Sequence, residues 1–252
     1  MFDLDVRRLR VYEGQGLGSL RADFTGTEPR YQAWLELKRF QLEAFMASLL
    51  TDEKSQGVLD FSASWDTRGW DRSALVRALH GEIRLHGTDL TVSGVDLDTA
   101  FDRYEASQRF SLVDVGAVLL VGPAGLVLSK GLDFARVLQG ADGQSALRIL
   151  VSEWTVKDGV MQARDVAIAT RRHRLAMQGR IDLAGARYDT LRVALIDARG
   201  CVKVQQTIRG SFSRPVVDKP GTLKALSGPV VRLFGKVLPE RCPVFYAGSV
   251  MP

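Results

Sequence analysis

The chain has 252 residues, of which 46% are hydrophobic and 25% charged, as in soluble globular proteins that are large enough to bury a core. Its formal charge of +5 would suit an anionic partner, but the basic residues are scattered through alternating patterns, so the charge is weak support for such a partner. Met1 is followed at once by strand-like alternation, so no secretory signal is expected there.

The first fifty residues are predicted to form three strands and a helix. Residues 1–13 and 17–26 have the alternation of a hairpin joined through the glycine-rich residues 14–16. The run from Tyr31 is strand-like, and residues 43–50 change to helical spacing. Because open strand edges are aggregation hazards, the unmatched first strand indicates either a piece of a longer protein or an edge that other material covers.

Residues 57–97 are predicted to fold as strand, short helix, strand, tight turn and strand. The first strand alternates apolar and polar residues, which is typical of a sheet with one dry face and one wet face. Asp71 or Ser73 is expected to cap the helix, which ends at Gly81. Gly87 is the predicted tight turn between the last two strands.

Residues 98–143 have a different composition. A helix is predicted over residues 98–106, and it is followed by an apolar stretch in which residues 115–129 carry no charge. That run is shorter than the roughly 20 residues that span a bilayer, so a buried helical hairpin broken at Gly122 and Pro123 is favoured. The alternatives are a membrane span and a helix pair that covers a groove or rests on a membrane surface.

Strand patterns return after residue 143 and dominate the rest of the chain. Residues 144–220 are predicted to form an antiparallel meander, with Asp158 and Gly159 as one hairpin turn. Residues 221–252 are predicted to supply a C-terminal helix, over 222–238, and a closing strand, over 245–250. These patterns predict an α+β fold that is mainly antiparallel β, with short amphipathic helices and one helical apolar insertion.

Residue patterns for catalysis or metal binding are sparse. His80, His86 and His173 lack the spacing of a metal pair, and the sequence has no HExxH or CxxC motif, so turn or surface histidines are expected and no metal or other cofactor. Neither Cys201 nor Cys242 has an obvious base beside it, so the chain is not expected to be an enzyme. The two cysteines would form a disulfide in an oxidising compartment and would be buried thiols in a reducing one.

One basic cluster, residues 171–174, lies at a predicted hairpin tip. A solvated turn is favoured for it, and attraction to anionic lipid headgroups is the alternative. Nucleic acid is not expected as a partner, because the cluster contains no aromatic residue on which a base could stack.

Several stretches of the chain resemble the C-terminal region of the AsmA family of bacterial envelope proteins. They are residues 57–97, residues 111–138, the strand pair 152–170 with 175–183, and residues 208–217. Each is mostly strand alternation with a glycine or proline, and their order, together with the run from Ser111 to the end, carries the resemblance.

The resemblance implies one elongated domain over residues 1–252, with strand–helix units in 1–97, the helical apolar segment in 98–143, the meander in 144–220 and the C-terminal elements in 221–252. In this family a long curved sheet with an apolar interior projects into the periplasm from an N-terminal inner-membrane helix, so this chain is expected in the periplasm, attached to the inner membrane in a full-length parent whose anchor this sequence lacks. An oxidising periplasm implies a disulfide between Cys201 and Cys242.

The implied function is a non-catalytic lipid-binding or lipid-transfer role in outer-membrane biogenesis, with a phospholipid or another acyl-chain lipid as the ligand. The alternative is an interaction scaffold that assists outer-membrane protein assembly, with envelope proteins as partners. For the lipid role, a one-sided sheet would leave a hydrophobic groove, in which each buried methylene of an acyl chain gains about 0.8 kcal/mol.

The wall of this groove is predicted in the strands of residues 57–97, and Leu75 and Leu79 of the short helix are expected to cover its edge. The predicted groove residues are Leu59, Phe61, Ala63, Trp65, Ile83, Leu85, Leu90 and Val92.

Overall fold

The structure is a computed structural model that describes residues 1–49, 54–93, 96–99, 101–102, 143–218, 221–222 and 242–252. The described strands are Phe2–Val11 (β1), Gly14–Asp23 (β2), Arg30–Gln41 (β3), Gln56–Arg68 (β4), His80–Ser93 (β5), Gln144–Lys157 (β6), Val160–Ala169 (β7), Arg174–Asp182 (β8), Arg187–Ile196 (β9), Val202–Ser211 (β10), Arg214–Val217 (β11) and Gly221–Thr222 (β12). The helices are Leu42–Leu49 (α1) and Arg72–Arg77 (α2), and residues 97–99 and 101–102 are also helical.

All twelve described strands belong to one antiparallel sheet. From β1 to β11 every strand pairs with the next strand in the chain, and β12 pairs with β10 on the same side as β11. The sheet is open and curved, which confirms the predicted antiparallel meander. Strand β5 pairs directly with β6, although residues 94–143 lie between them in the chain, so the ladder continues across the predicted insertion.

The sequence places several elements correctly because their alternation is uninterrupted. Strand β3 and helix α1 lie within a residue or two of the predicted positions, and β6 to β10 form the predicted meander. Asp158 and Gly159, both at positive φ, form the predicted hairpin turn. Asp71 is the N-cap of α2, because its Oδ1 accepts a 2.8 Å hydrogen bond from the Ala74 N–H.

Two predicted turns are wrong, and both were placed at glycines. The first hairpin turns at Tyr12 and Glu13, which have φ of 51° and 63°, and Gly14 is already the first residue of β2. No turn occurs at Gly87, because β5 runs unbroken from His80 to Ser93. Helix α2 also ends before Gly81, which lies in β5.

The C-terminal predictions have a mixed outcome. Residues 245–250 do not form the predicted closing strand, and near them only Val244 makes an isolated bridge, to Cys201. Thr222 belongs to β12, and the rest of the helix predicted over 222–238 lies outside the described residues, as does the apolar run 115–129.

In β1 to β5 the register separates the residues of the sheet into an apolar face and a polar face. Apolar residues lie opposite one another from strand to strand, for example Leu37 opposite Phe61 and Phe61 opposite Leu85. The main hydrophobic core lies on this apolar face and extends from α1 and β3 to β10. The charged residues that alternate with them point to the polar face, as expected for strands of period two.

Candidate functional site

The predicted groove residues of β4 and β5 lie side by side on the apolar face. Phe61 lies opposite Leu85 and Ala63 opposite Ile83. Leu59 and Trp65 lie opposite glycines of β5, so neither faces a side chain directly across the ladder on that side. Leu90 approaches the same spot as Leu59: a Cβ built on Gly87 would lie within 3 Å of both side chains. Val92 lies two residues further along β5, opposite Ser145 of β6.

These eight side chains differ in their exposure to solvent. Leu59, Ala63, Leu85, Leu90 and Val92 are buried. Phe61 and Ile83 are half-buried, and Trp65 is 37% exposed. The predicted wall is therefore closed at the Leu59 end of β4 and accessible at the Trp65 end.

Aromatic side chains close one end of the apolar face. Tyr12 and Phe45 pack edge-to-face with ring centroids 5.4 Å apart, and Phe40 and Phe45 do so at 6.0 Å. Met46 of α1 and Leu59 of β4 are buried in the same cluster. Helix α1 therefore covers this end of β3 and β4, as expected for a short amphipathic helix that follows a strand.

The apolar face is also closed along β6 to β10. Trp154 is 1% exposed, and Leu175, Leu191 and Val193 are fully buried. Leu97 and Phe101, from the helical residues after β5, belong to the same core cluster. This half of the sheet has the burial of an ordinary protein core.

The opposite end, over β1 to β5, remains accessible. Phe2 is 53% and Leu4 45% exposed, and Leu20 and Leu35 are half-buried. Register joins these residues to the predicted groove residues, since Leu4 lies opposite Leu20 and Leu35 opposite Ala63. We call the following residues the open apolar strip: Phe2, Leu4, Leu20, Leu35, Trp65 and Ile83.

Sequence reasoning missed the part of the open apolar strip that lies on β1 to β3. The alternation of Phe2 and Leu4 was visible, but alternation does not say which residue of another strand lies opposite. The missing signals were the turn at Tyr12 and Glu13 and a register shift between Val6 and Leu9, because the turn alone would place Leu4 opposite Arg21 and not opposite Leu20.

The short helix α2 lies beside the accessible end. Leu75 is in α2, Leu79 follows it, and both are half-buried. Leu79 packs against the main core. The Thr67 hydroxyl donates to the Leu75 carbonyl at 2.5 Å, which ties α2 to β4. Helix α2 thus lies next to the connection between β4 and β5 and has no fully buried residue.

The polar face of β1 to β5 carries a ladder of charged and amide side chains. Arg21 pairs with Asp3 at 2.7 Å, and Asp66 accepts hydrogen bonds from Arg30 at 2.7 Å and Gln32 at 2.8 Å. Burial alone would raise the pKa of Asp66, but these hydrogen bonds and the charge of Arg30 outweigh it and hold that pKa below its usual value. The ladder lines an open depression of about 710 Å³.

A second, smaller apolar patch lies on the other side of the sheet. It contains Ala167, Ala169, Ala176 and Ala194, whose short side chains leave room for backbone to approach. Residues 242–252, which we call the C-terminal strap, cover this patch. Phe245, Tyr246 and Val250 of the strap are buried against it.

Hydrogen bonds hold the C-terminal strap in place. The Tyr246 hydroxyl donates to Asp165 and accepts a 3.0 Å hydrogen bond from the Val250 N–H. Arg174 donates to the Val250 carbonyl at 2.9 Å, and Arg148 donates to the carbonyls of residues 251 and 252. Burial raises the pKa of the Tyr246 phenol, and the hydrogen bond to the Asp165 carboxylate raises it further.

The two cysteines lie at the start of the strap region and beside β10. The Cα atoms of Cys201 and Cys242 are 5.9 Å apart, within the range of a disulfide. Such a bond would fasten the C-terminal strap to the end of the sheet.

The basic cluster at residues 171–174 is only partly the solvated turn that was predicted, because Arg171 and Arg172 are exposed but His173 and Arg174 are buried. Arg172 pairs with Asp102 at 2.8 Å, and His173 is buried with its Nε2 2.9 Å from another oxygen of the same carboxylate. Arg174 is buried under the C-terminal strap. Arg172, His173 and Arg174 therefore make internal contacts to the helical residues before 103 and to the strap.

The three histidines differ in their surroundings. His80 and His86 are exposed, as predicted, and each lies beside one carboxylate, whereas His173 is buried against that prediction. Within the described residues no group of three or more His, Cys, Asp or Glu side chains is arranged to hold a metal ion. Among the helices in this part of the chain, none combines the length and apolar character needed to cross a membrane.

Comparison with protein families gives one match. The model of the AsmA family matches residues 1–116, which include the open apolar strip and all of β1 to β5. The match lies in the first half of the chain, so the likeness to the C-terminal region of that family, and the resemblance beyond residue 116, remain predictions. Neither the curated proteins nor the solved structures contain a match to this chain.

Proposed function

We propose that this chain is a non-catalytic lipid-binding module of the bacterial envelope, working in the periplasm and contributing to lipid transfer in outer-membrane biogenesis. The observation that carries the proposal is the open apolar strip. It is an accessible edge of a continuous apolar face whose other parts are buried as core. The AsmA match over the same strands supports an envelope role related to lipid transport.

The dimensions of the strip suit an acyl chain. The strip crosses five neighbouring strands, β1 to β5. The four interstrand spacings of about 4.8 Å give a path of roughly 19 Å. An acyl chain lying along that path would be removed from water, and each buried methylene would contribute about 0.8 kcal/mol of favourable binding free energy. All six residues of the strip are apolar, which favours the tail of a lipid over its headgroup as the bound part.

The cysteine pair supports the proposed compartment. Disulfides persist in oxidising spaces such as the bacterial periplasm and are rare in the cytosol. The Cα atoms of Cys201 and Cys242 are 5.9 Å apart, which is within the range of a disulfide bond.

Photocrosslinking from two tryptophan positions tests the proposal with a matched control. Trp65 and Trp34 lie on neighbouring strands and are 37% and 42% exposed, but they point to opposite faces of the sheet. Replacing Trp65 with benzoylphenylalanine should yield adducts with phospholipid when the chain is irradiated with vesicles of envelope lipid. The same replacement of Trp34 should yield few.

A charge placed in the strip gives an independent test. Ile83→Glu should lower the phospholipid that native mass spectrometry finds on the purified chain by about tenfold, because a carboxylate is costly to desolvate beside an acyl chain. Arg84→Glu, the neighbouring substitution on the polar face, should leave the bound lipid unchanged. Equal crosslinking at both tryptophans, or a chain that carries no lipid, would overturn the proposal and favour a protein scaffold, whose partners a pull-down should recover without lipid.

A further inference from the structure

Strand β1 is an exposed sheet edge. Within the described part of the chain β2 is its one neighbour in the sheet, and seven of its ten residues are exposed. Such an edge offers a row of N–H and C=O groups on which another strand can pair. The charged residues of β1 are distributed unevenly along the strand, so they favour some partner strands over others.

The charges of β1 are separated along the strand. Asp3 and Asp5 lie in the first half, and Arg7, Arg8 and Arg10 lie in the second half. An antiparallel copy of the same strand therefore brings the acidic half of each against the basic half of the other. Opposite charges directly across an antiparallel pair are stabilising, and like charges are destabilising.

The backbone of β1 is arranged for this pairing. In an antiparallel ladder alternate residues bond to one neighbour and the others point away from it. Val11 and Gly14 close the two-residue turn, so Arg10 directs its N–H and C=O to the open side. Asp3 lies opposite Arg21, and Arg21 is out of phase with Gly14 on β2, so the backbone groups of Asp3 point to the open side too. The register shift of β1 between Val6 and Leu9 is what lets Asp3 and Arg10 share this direction.

We propose that β1 pairs antiparallel with β1 of a second copy of this chain. The register places Asp3 opposite the partner's Arg10 and Asp5 opposite the partner's Arg8, and two-fold symmetry forms each pair twice. Val6 then lies opposite the partner's Arg7 at the two-fold axis, where β1 is irregular. On the apolar face Leu4 lies opposite the partner's Leu9, and Phe2 lies opposite the partner's Val11. The two most exposed apolar side chains of β1 are then covered.

Other registers are less favourable. Sliding one strand by two residues to place Asp5 opposite the partner's Arg10 brings Arg7 against the partner's Arg8. Sliding it by two residues the other way leaves Asp5 opposite the partner's Val6. Sliding by a single residue exchanges the faces, so apolar side chains of one copy meet charged side chains of the other.

The dimer joins two sheets through their accessible ends. If the open apolar strip binds lipid as proposed above, pairing at β1 makes one strip of about twice the length, with a closed core at each far end. This consequence rests on the proposed function, but the dimer itself rests on the edge of β1 and is tested without lipid.

Sedimentation velocity of the full 252-residue chain in lipid-free buffer tests the dimer. A strand-edge contact is smaller than a standard interface, so dimerisation is expected in the micromolar range. A chain that stays monomeric throughout that range overturns the proposal and leaves a strand of another protein as the occupant of the edge.

Charge exchange distinguishes this pairing from other self-association. One variant carries Asp3→Arg and Asp5→Arg, and the other carries Arg8→Asp and Arg10→Asp. Each alone sets like charges against like and should self-associate at least about tenfold more weakly than the wild type. An equal mixture restores all four ion pairs and should dimerise. If both variants keep the wild-type circular dichroism spectrum and their mixture stays monomeric, the inference fails.

Disulfide trapping tests the register. Leu4→Cys on one chain and Leu9→Cys on another fall opposite each other. The two residues form a pair without backbone hydrogen bonds between them, in which the Cα atoms lie about 4.5 Å apart. Oxidation of the mixture should therefore give a covalent dimer. Leu4→Cys alone should give none, because in this register its own equivalent lies several residues away. Equal trapping by the single variant would contradict the register.

Discussion

Gly18 shows at the scale of one residue why the sequence of β2 contains so many glycines. A Cβ at Gly18 would lie 2.6 Å from the Trp34 carbonyl oxygen and 3.3 Å from the Leu35 Cα. Gly14 and Gly16 are similarly close to the β3 backbone. The glycines therefore let β2 and β3 approach closely on the apolar face, and they do not form a flexible turn.

Replacing this glycine should be costly. Gly18→Ala is expected to lower the free energy of unfolding by about 1–3 kcal/mol, because the new methyl group must displace backbone atoms of β3. Urea denaturation measures the change. Gly26→Ala is the control: the nearest atom to its Cβ, outside its chain neighbours, is 3.5 Å away, so an effect within about 0.5 kcal/mol is expected. Equal losses in both variants would refute the packing explanation.

Asp66 makes the free energy of unfolding depend on pH. The hydrogen bonds from Arg30 and Gln32 hold the pKa of its carboxyl below the usual 3.8, so its contribution is complete above that value and is lost as the pH falls through the lower folded-state pKa. Asp66→Asn should flatten the plot of unfolding free energy against pH below about pH 4, by less than about 1 kcal/mol because the pair is exposed. Ser64→Ala, on the same face, should keep the wild-type slope.

Among the elements, regular alternation predicted strands well and glycines predicted turns poorly. Strands β6 to β10 could be read from the sequence because alternation persists and Asp158-Gly159 has the chemistry of a tight turn. Gly87 misled because it serves packing: a Cβ there would collide with Leu59 and Leu90. Tyr12 and Glu13 gave no signal, since neither residue type usually adopts positive φ.

The C-terminal strap was not predictable from residue patterns either. Its residues alternate too little for a strand, and the patch that it covers is assembled from alanines on three different strands. Arg174 and Asp165 hold the strap through hydrogen bonds to residues more than seventy positions away. Contacts over such sequence distances depend on the register of the whole sheet, which no local pattern contains.

Loss of the disulfide should loosen the C-terminal strap. A bond between Cys201 and Cys242 closes a loop with a sequence separation of 41 residues, and on the chain-entropy estimate it stabilises the fold by about 4 kcal/mol. Replacing both cysteines with serine should lower the melting temperature measured by calorimetry. A reductant should lower the melting temperature of the wild type to that of the variant and leave the variant unchanged. A wild type that is insensitive to reductant would show that no bond forms.

At the scale of the whole molecule, one apolar face was predictable and its accessibility was not. The alternation in β4 and β5 identified eight residues that share a face, because a strand sets its side-chain directions locally. Which of them are covered depends on α1, on Leu97 and Phe101 and on neighbouring strands. Sequence reasoning therefore found the wall but not its open end on β1 to β3.

Hydrogen exchange should reveal this difference between the two ends. Amides of β8 are expected to exchange orders of magnitude more slowly than amides of β1, because β8 lies inside the ladder beneath fully buried residues and β1 lies at an exposed edge. Mass spectrometry of exchanged peptides measures both in one sample. Phospholipid should slow exchange in β1 to β5 and leave β8 unchanged, and uniform protection of both ends without lipid would contradict the observed burial.

The ladder between β5 and β6 has a consequence for how fast the protein folds. The other ladders between consecutive strands join across short connections, whereas this one must close a loop of about 50 residues, from 94 to 143. Loop closure costs entropy that grows with the logarithm of loop length, and long-range pairing slows folding. The two halves of the sheet can each form early from local hairpins, and their joining along β5 and β6 is then the slow step that completes the apolar face.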